Sequence, residues 1–115
     1  MSVTIYHNPR CSKSRQTLEI LRGRGIEPAI VAYLETPPDA AEIKRLLKLL
    51  GIGARDVMRK KEAAYTESGA DDPGLDEGAL VACIAANPIL LERPIVVSGE
   101  RAAIGRPPEK VLDIL

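Results

Sequence analysis

The chain has 115 residues with 16 basic and 16 acidic side chains, so its formal net charge at neutral pH is zero. This balance argues against nucleic acid or an anionic membrane as the main partner. An apolar fraction of 45% and a charged fraction of 28% are typical of a globular protein of one domain. We therefore expect a single domain over residues 1–115. The absence of a signal peptide and of a membrane-spanning run predicts a cytoplasmic location.

The N-terminal part of the chain has the pattern of a β-α-β unit. Residues 3–6 predict a short strand, which the turn-forming pair Asn8-Pro9 ends. The chain after Cys11 has helical character as far as Gly23, and residues 29–34 predict a second, buried strand. Because two strands joined by a helical crossover run in the same direction, we expect this pair to be parallel.

The remainder of the chain predicts helices followed by a β-hairpin. The predicted elements are a helix opened by Asp39 and Glu42 and ended by Gly51, a short helical piece with residues 57–59, an exposed loop over 66–74, a helix over 75–87, a hairpin over 93–104, and a last amphipathic helix that begins at Pro107-Pro108 and contains Val111, Leu112 and Leu115. This order is that of a thioredoxin/glutaredoxin-like α/β fold. Such a fold has a mixed central sheet of about four strands flanked by helices, here with an enlarged helical insertion.

Cys11 lies between the first strand and the first helix, a position that favours negative charge. The amides at a helix N-terminus stabilise a thiolate or a bound oxyanion, and Arg10, Lys13 and Arg15 add positive charge nearby. We interpret Cys11 as a nucleophile. The alternative is a small buried apolar residue, which is the usual state of a free cysteine. Cys83, in an apolar helical run, is predicted to pack in the core instead.

Several other cysteine chemistries do not fit these motifs. Ser14 stands where a Cys-x-x-Cys pair needs its second cysteine, so an internal disulfide cycle is excluded. Arg15 follows Cys11 too closely for the phosphate loop of a tyrosine phosphatase. One histidine and two distant cysteines do not supply a zinc site, and no glycine-rich nucleotide loop is present. We expect neither a metal nor a bound organic cofactor.

His7 is the single histidine and lies four residues before Cys11. One role is to stabilise the Cys11 thiolate or to organise the loop by hydrogen bonding. The other is structural, as a histidine at a strand end that packs and caps the backbone. The sequence leaves both roles open.

A series of short motifs extends along the whole chain. They are Tyr6-His7-Asn8-Pro9 before Cys11, Ser14-Arg15 after it, Tyr33-Leu34-Glu35 with Pro37-Pro38, Met58-Arg59-Lys60, Asn87-Pro88-Ile89-Leu90, Arg93-Pro94-Ile95-Val96-Val97 and Gly105-Arg106-Pro107. In this order they resemble the arsenate reductase family that is coupled to glutathione and glutaredoxin. The chain departs from its best-known members in having Ser12-Lys13 where they have Gly-Thr, and it is similar to a short branch of the family.

The resemblance implies a reaction and a set of site residues. Arsenate is reduced to arsenite through a covalent Cys11–arsenic adduct, with glutathione as co-substrate and glutaredoxin as partner. The implied catalytic residues are Cys11 and His7, and the implied substrate-binding residues are Arg59, Arg93, Arg106, Ser12, Lys13, Ser14 and Arg15. In a thioredoxin-like fold Pro94 is expected to be a cis-proline facing the cysteine, which brings Arg93 beside Cys11. Guanidinium groups suit a tetrahedral oxyanion because they donate paired hydrogen bonds and stay charged.

Two further interpretations stay open at this point. The first is a glutathione-dependent thiol/disulfide reductase on the same fold, which uses Cys11 without arsenate. The second is a redox-linked transcriptional regulator that binds RNA polymerase. A related branch of this fold has that role, but its sensor is a Cys-x-x-Cys pair, so Ser14 counts against it.

Overall fold

The computed structural model describes residues 2–115 and divides into two compact units. The first comprises the chain up to Thr36 together with Arg93–Leu115, and the second is Pro37–Glu92. The second unit is therefore inserted between the two halves of the first. This is the enlarged helical insertion that the sequence predicts between the second and third strands.

The first unit is built on a mixed four-stranded sheet, as predicted. Its strands are β1 (Val3–Tyr6), β2 (Ala29–Val31), β3 (Ile95–Ser98) and β4 (Arg101–Ile104), in the order β2-β1-β3-β4. Strand β1 pairs with β2 in parallel and with β3 antiparallel, and β3 and β4 form the expected hairpin. The two central strands are the most buried, because both of their edges and faces are covered.

Helix α1 (Ser12–Gly23) and a C-terminal 3₁₀ helix (Pro108–Ile114) complete the first unit. Its hydrophobic core cluster is formed by buried aliphatic side chains from these two helices and the central strands: Val3, Ile5, Leu18, Leu21, Val96, Val111 and Ile114. Burying each of them fully contributes about 1.5–3 kcal/mol of transfer free energy. This core fixes α1, and therefore the residues at its N-terminus, against the sheet.

Strand β2 differs from its prediction. It covers only Ala29–Val31, and Ala29 and Ile30 are exposed although the sequence predicts a buried strand over 29–34. The reason is that β2 is an edge strand of the sheet. An apolar run of this kind does not by itself distinguish an edge strand from a central one.

The C-terminal helix also differs from its prediction. It is a 3₁₀ helix, with three residues per turn, so its buried residues Pro108, Val111 and Ile114 recur at every third position. The amphipathic helix predicted after Pro107 is confirmed, and Val111 is buried. Leu112 and Leu115, which the sequence places in the same helix, lie on its exposed side.

The second unit contains α2 (Ala40–Leu50), α3 (Ala54–Val57), α4 (Ala63–Glu67) and α5 (Glu77–Ala86), followed by a short 3₁₀ turn (Pro88–Leu90). As predicted, Asp39 caps α2 by accepting a hydrogen bond from the Glu42 amide at 2.8 Å, and Gly51 ends this helix with a positive φ of 71°. Asp76 caps α5 in the same way through the Ala79 amide.

Three predictions for the second unit need correction. Helix α3 ends at Val57, and Met58 forms an isolated bridge with Leu91 in place of the helix predicted over residues 57–59. The segment predicted as an exposed loop over 66–74 begins inside α4 and contains the fully buried Ala70. Cys83 is only partly buried, at the edge of a groove, and is not a core residue. Among residues 2–115, no helix has the length and apolar character needed to cross a bilayer.

Candidate functional site

Cys11 is the N-cap residue of α1, at the end of a tight loop that follows β1. Its amide donates to the Asn8 carbonyl at 3.0 Å, and the Arg10 amide donates to Asn8 Oδ1 at 3.0 Å. Its side chain does not cap the helix. An α-helix leaves the amides of its first turn without intrahelical partners. In α1 these amides follow Cys11 directly in the chain. The predicted strand-to-helix location of Cys11 is confirmed, although only 8% of the residue is exposed.

The remaining loop residues divide into buried and exposed positions. Ser12, Lys13 and Arg15 are exposed, whereas Ser14 is fully buried. Arg15 Nη1 donates to the Pro9 carbonyl at 2.8 Å, so this guanidinium holds the loop from outside. The backbone carbonyl of Lys13 accepts from Thr17 Oγ1 at 2.8 Å.

Ser14 and His7 form the buried polar contact of this loop. The distance between Ser14 Oγ and His7 Nδ1 is 2.6 Å, and the same hydroxyl oxygen accepts from the Asn8 amide at 3.1 Å. Ser14 thus joins the first turn of α1 to the end of β1. The geometry favours the role of His7 as a residue that organises the loop.

The environment of His7 also determines its charge. Burial lowers the pKa of His7 below its ordinary value, and the positive charges of Arg22 and Arg15 lower it further. His7 is therefore neutral at pH 7 and contributes a hydrogen bond, not a cation, to the loop around Cys11.

Arg106 brings positive charge to the thiol from the far end of the first unit. Its Nη2 lies 3.7 Å from Cys11 Sγ, and its Nε donates to the Arg93 carbonyl at 2.9 Å. The Arg93–Pro94 peptide is cis, as predicted, and the Arg106–Pro107 peptide is cis as well. Arg93 and Arg106, which are 13 residues apart in the chain, are therefore joined by a hydrogen bond, and one of them contacts Cys11.

Gly105 allows Arg106 to lie close to Cys11. A Cβ atom at this position would lie 2.5 Å from Thr17 Oγ1 and 2.8 Å from Pro94 Cγ, so only glycine fits between α1 and the proline. The Gly105 amide donates to the Pro94 carbonyl at 2.9 Å. The residue before Arg106 is thus fixed against both the helix that begins at Cys11 and the proline that follows Arg93.

Arg59 belongs to the second unit and has a different environment. Its Nη1 lies 2.6 Å from Glu62 Oε1 and its Nε lies 3.5 Å from Glu92 Oε1. It lines a cavity of about 280 Å³ together with Met58, Lys60, Lys61 and Glu92. The guanidinium is therefore paired with carboxylates within its own unit.

The sequence is similar to known proteins over almost its whole length. Residues 6–114 match the profile of the ArsC family. The chain belongs to the ArsC family. This ArsC protein is 56% identical to the uncharacterized protein YfgD of Escherichia coli K12, over 98% of the chain and 96% of YfgD. It is 50% identical to the arsenate reductase of Neisseria meningitidis serogroup A, over 98% of the chain and 97% of that protein.

A solved structure agrees with the fold. The arsenate reductase from Vibrio cholerae superposes on this ArsC protein with a TM-score of 0.97 at 52% identity, covering 100% of the chain and 98% of that structure. The predicted family and the thioredoxin-like α/β fold class are thereby confirmed.

Local sequence patterns do not reveal every residue of the site region. Gly105 occurs in a motif, but its close contacts are with Thr17 and Pro94, which belong to segments distant in sequence. Glu62 lies three residues after Arg59, a spacing typical of ion pairs, so the sequence does contain a signal for this pair. No local pattern predicts the pairing of Glu92, which is distant in sequence, with Arg59.

Proposed function

We propose that this ArsC protein reduces arsenate to arsenite with Cys11 as its nucleophile. The observation that carries the proposal is the Arg106 guanidinium 3.7 Å from Cys11 Sγ, at the N-terminus of α1 and hydrogen-bonded to the Arg93 carbonyl. A thiol beside a fixed cation and free helix amides suits both a thiolate and an incoming oxyanion. The names of the Neisseria and Vibrio relatives support arsenate as that oxyanion.

In the first step the Cys11 thiolate attacks arsenic(V). A sulfur–arsenic bond forms, and one arsenate oxygen leaves as water after protonation. Arg93 and Arg106 bind the arsenate oxygens together with the backbone amides of Ser12, Lys13 and Ser14 at the start of α1, and Arg15 adds positive charge to the loop. The family resemblance adds Arg59 to this set. His7 positions the loop through Ser14.

In the second step glutathione supplies the attacking thiol, because Ser14 stands where a resolving cysteine would lie. Its thiolate attacks the sulfur of Cys11, the sulfur–arsenic bond breaks, and the electron pair stays on arsenic, which becomes arsenic(III) and leaves as arsenite. The two sulfur atoms are oxidised to a mixed disulfide, which balances the two electrons. Glutaredoxin then removes the glutathionyl group and restores the Cys11 thiol.

The scheme uses no bound metal or organic cofactor. It needs a reducing compartment with a glutathione pool, so we propose that the protein acts in the cytoplasm. Neither a nucleic acid nor a membrane takes part in any step. The competing function is a glutathione-dependent thiol/disulfide reductase that uses Cys11 without arsenate.

The test is arsenate-dependent NADPH consumption in a mixture with glutathione, glutaredoxin and glutathione reductase. We expect turnover that requires arsenate and is abolished in Cys11→Ser, because serine cannot form the arsenic adduct or the mixed disulfide. Arg106→Ala should raise the arsenate KM by roughly 10- to 150-fold, the equivalent of a charge-assisted contact of about 1.5–3 kcal/mol.

The same variants distinguish the competing function. A thiol/disulfide reductase would reduce a small mixed-disulfide substrate through Cys11, show no arsenate dependence and be indifferent to Arg106→Ala. If a protein with a reactive Cys11 thiol gives these results, its function is that of a thiol/disulfide reductase and the arsenate reductase proposal is wrong.

A further inference from the structure

A cavity of about 440 Å³ lies beside the Cys11 loop, entirely within the first unit. It is lined by the loop residues that precede Cys11 and by residues from β2 and the turn after it: His7, Asn8, Pro9, Arg10, Ile30, Ala32, Leu34 and Glu35. Its volume falls in the range of roughly 300–1,000 Å³ that is usual for small-molecule sites. No step of the mechanism above assigns a ligand to it.

The cavity has an exposed apolar part. Ile30 is 45% exposed and Leu34 is 40% exposed, although both are large aliphatic residues. They lie on and just beyond β2, which is an edge strand whose outer side pairs with no other strand of the described sheet. An exposed strand edge with apolar side chains next to it suits a short peptide in an extended conformation.

The cavity also carries one charge of each sign. Arg10 and Glu35 both line it, and within residues 2–115 neither side chain forms an ion pair. A ligand that carries both a carboxylate and an ammonium group would complement the two charges. Arg10 immediately precedes Cys11, so a carboxylate bound by Arg10 places the rest of the ligand near the loop that holds the thiol.

We propose that this cavity is the glutathione-binding site of the protein. Glutathione is a tripeptide with two carboxylates, one ammonium group and an extended backbone, so its size, charges and shape match the three features of the cavity. Arg10 binds a carboxylate, Glu35 binds the ammonium group, and Ile30 and Leu34 contact the aliphatic parts of the ligand. The assignment rests on the proposed function for the use of glutathione, but its binding is measurable without turnover.

The first experiment measures binding alone. The full chain is titrated with S-methylglutathione, which cannot exchange disulfides, and binding is followed by calorimetry and by NMR shifts. We expect saturable binding, weakened about tenfold or more in Glu35→Gln and in Leu34→Ser, since each removes a polar or apolar contact with the ligand. Ile89→Ser is the matched control, because Ile89 is 42% exposed but belongs to the second unit.

The second experiment measures the kinetic role of the cavity. In the coupled arsenate assay, Glu35→Gln and Leu34→Ser should raise the KM for glutathione about tenfold or more, while the KM values for arsenate and glutaredoxin stay unchanged. Thermal unfolding of each variant checks that the fold is retained, and Glu35→Asp should recover part of the affinity lost in Glu35→Gln.

The other outcomes separate a failure of this assignment from a failure of the proposed function. A raised KM for glutaredoxin with an unchanged KM for glutathione would make the cavity a glutaredoxin-docking surface. A change in sedimentation with protein concentration, lost in Leu34→Ser, would make it a contact between copies of this chain. If arsenate turnover is absent but S-methylglutathione binds and depends on Glu35, the proposed function fails and the glutathione site stands. If turnover requires glutathione but the titration shows no binding, the reverse holds.

Discussion

Ser14 takes the place of the second cysteine of a dithiol motif, and its hydroxyl group is used for structure. It is fully buried and contacts both His7 Nδ1 and the Asn8 amide. A cysteine thiol is a weaker hydrogen-bond donor and acceptor than a hydroxyl. The residue that removes the internal disulfide cycle is thus also the one that joins β1 to α1, and under the proposed function Cys11 then requires an external thiol.

The lowered pKa of His7 predicts a pH-dependent stability. Because the folded pKa lies below the unfolded value of 6.5, the unfolded chain binds the proton more readily. The stability is therefore fully present above pH 6.5 and is lost as the pH falls below it towards the folded pKa. The slope that this residue contributes cannot exceed about 1.4 kcal/mol per pH unit.

The measurement is the free energy of urea unfolding at pH 7.5, 6.5 and 5.5 for the native chain and for His7→Asn. Asparagine retains a polar group for Ser14 but does not titrate, so the native chain should lose more stability on acidification than the variant. Carboxylates titrate mostly below this window and are common to both proteins. If both proteins lose the same unfolding free energy between pH 7.5 and 5.5, the lowered pKa of His7 is contradicted.

At the scale of elements, the junction between β4 and the following cis peptide determines where Arg106 lies. Gly105 fits against Thr17 on α1 and against Pro94, and its amide bonds to the Pro94 carbonyl. Helix α1 carries Cys11 at its start, so the same helix positions the thiol and limits the approach of the arginine. The position of the guanidinium is a consequence of close packing between distant segments.

We predict that Gly105→Ala destabilises the protein by about 1–3 kcal/mol, the usual cost of overpacking, and raises the arsenate KM by displacing Arg106. Gly23→Ala is the control, since a Cβ at Gly23, the last residue of α1, meets no atom within 4 Å. It should be neutral or stabilise the helix by up to about 1 kcal/mol. Urea unfolding and arsenate kinetics of the two variants test the prediction, and equal unfolding free energies would refute it.

At the scale of the whole molecule, the sequence predicted most of the fold because local signals and tertiary structure agree. The first strand, the bounds of α1, the Asp39 cap and the hairpin follow from turn residues, caps and periodicity. The exposure of β2, the 3₁₀ form of the C-terminal helix and the partial exposure of Cys83 could not be predicted. Each depends on the neighbours of the segment in space, which periodicity does not report.

The site was predictable to a similar degree. Cys11 at a strand-to-helix junction and a cis peptide at Pro94 were both predicted and are both observed. The contact between Arg106 and Cys11 joins residues 95 positions apart, so no local pattern contains it. The binding roles of Arg59, Arg93 and Arg106 come from the family resemblance and remain predictions.

The last prediction concerns what the unit Pro37–Glu92 contributes to the activity. Of the three arginines that the resemblance assigns to arsenate, Arg59 alone belongs to this unit, and Glu62 and Glu92 already pair with it. An arsenate oxyanion must compete with these carboxylates for the same guanidinium. Arg59→Ala should therefore raise the arsenate KM by roughly 10- to 150-fold. Glu62→Gln should lower it by about 1.5- to 5-fold, because a partly exposed ion pair contributes about 0.2–1 kcal/mol.

The diagnostic result is a higher arsenate KM in Arg59→Ala and a lower one in Glu62→Gln. Arg45→Ala is the matched control, since Arg45 is an exposed arginine of the same unit outside the cavity that Arg59 lines. It removes the same charge and should leave the KM unchanged. If Arg59→Ala behaves like Arg45→Ala while Arg106→Ala retains its effect, then arsenate binding belongs to the first unit alone. In that case the Arg59–Glu62 pair serves only the stability of the second unit, and Glu62→Gln should lower its unfolding free energy without any effect on arsenate.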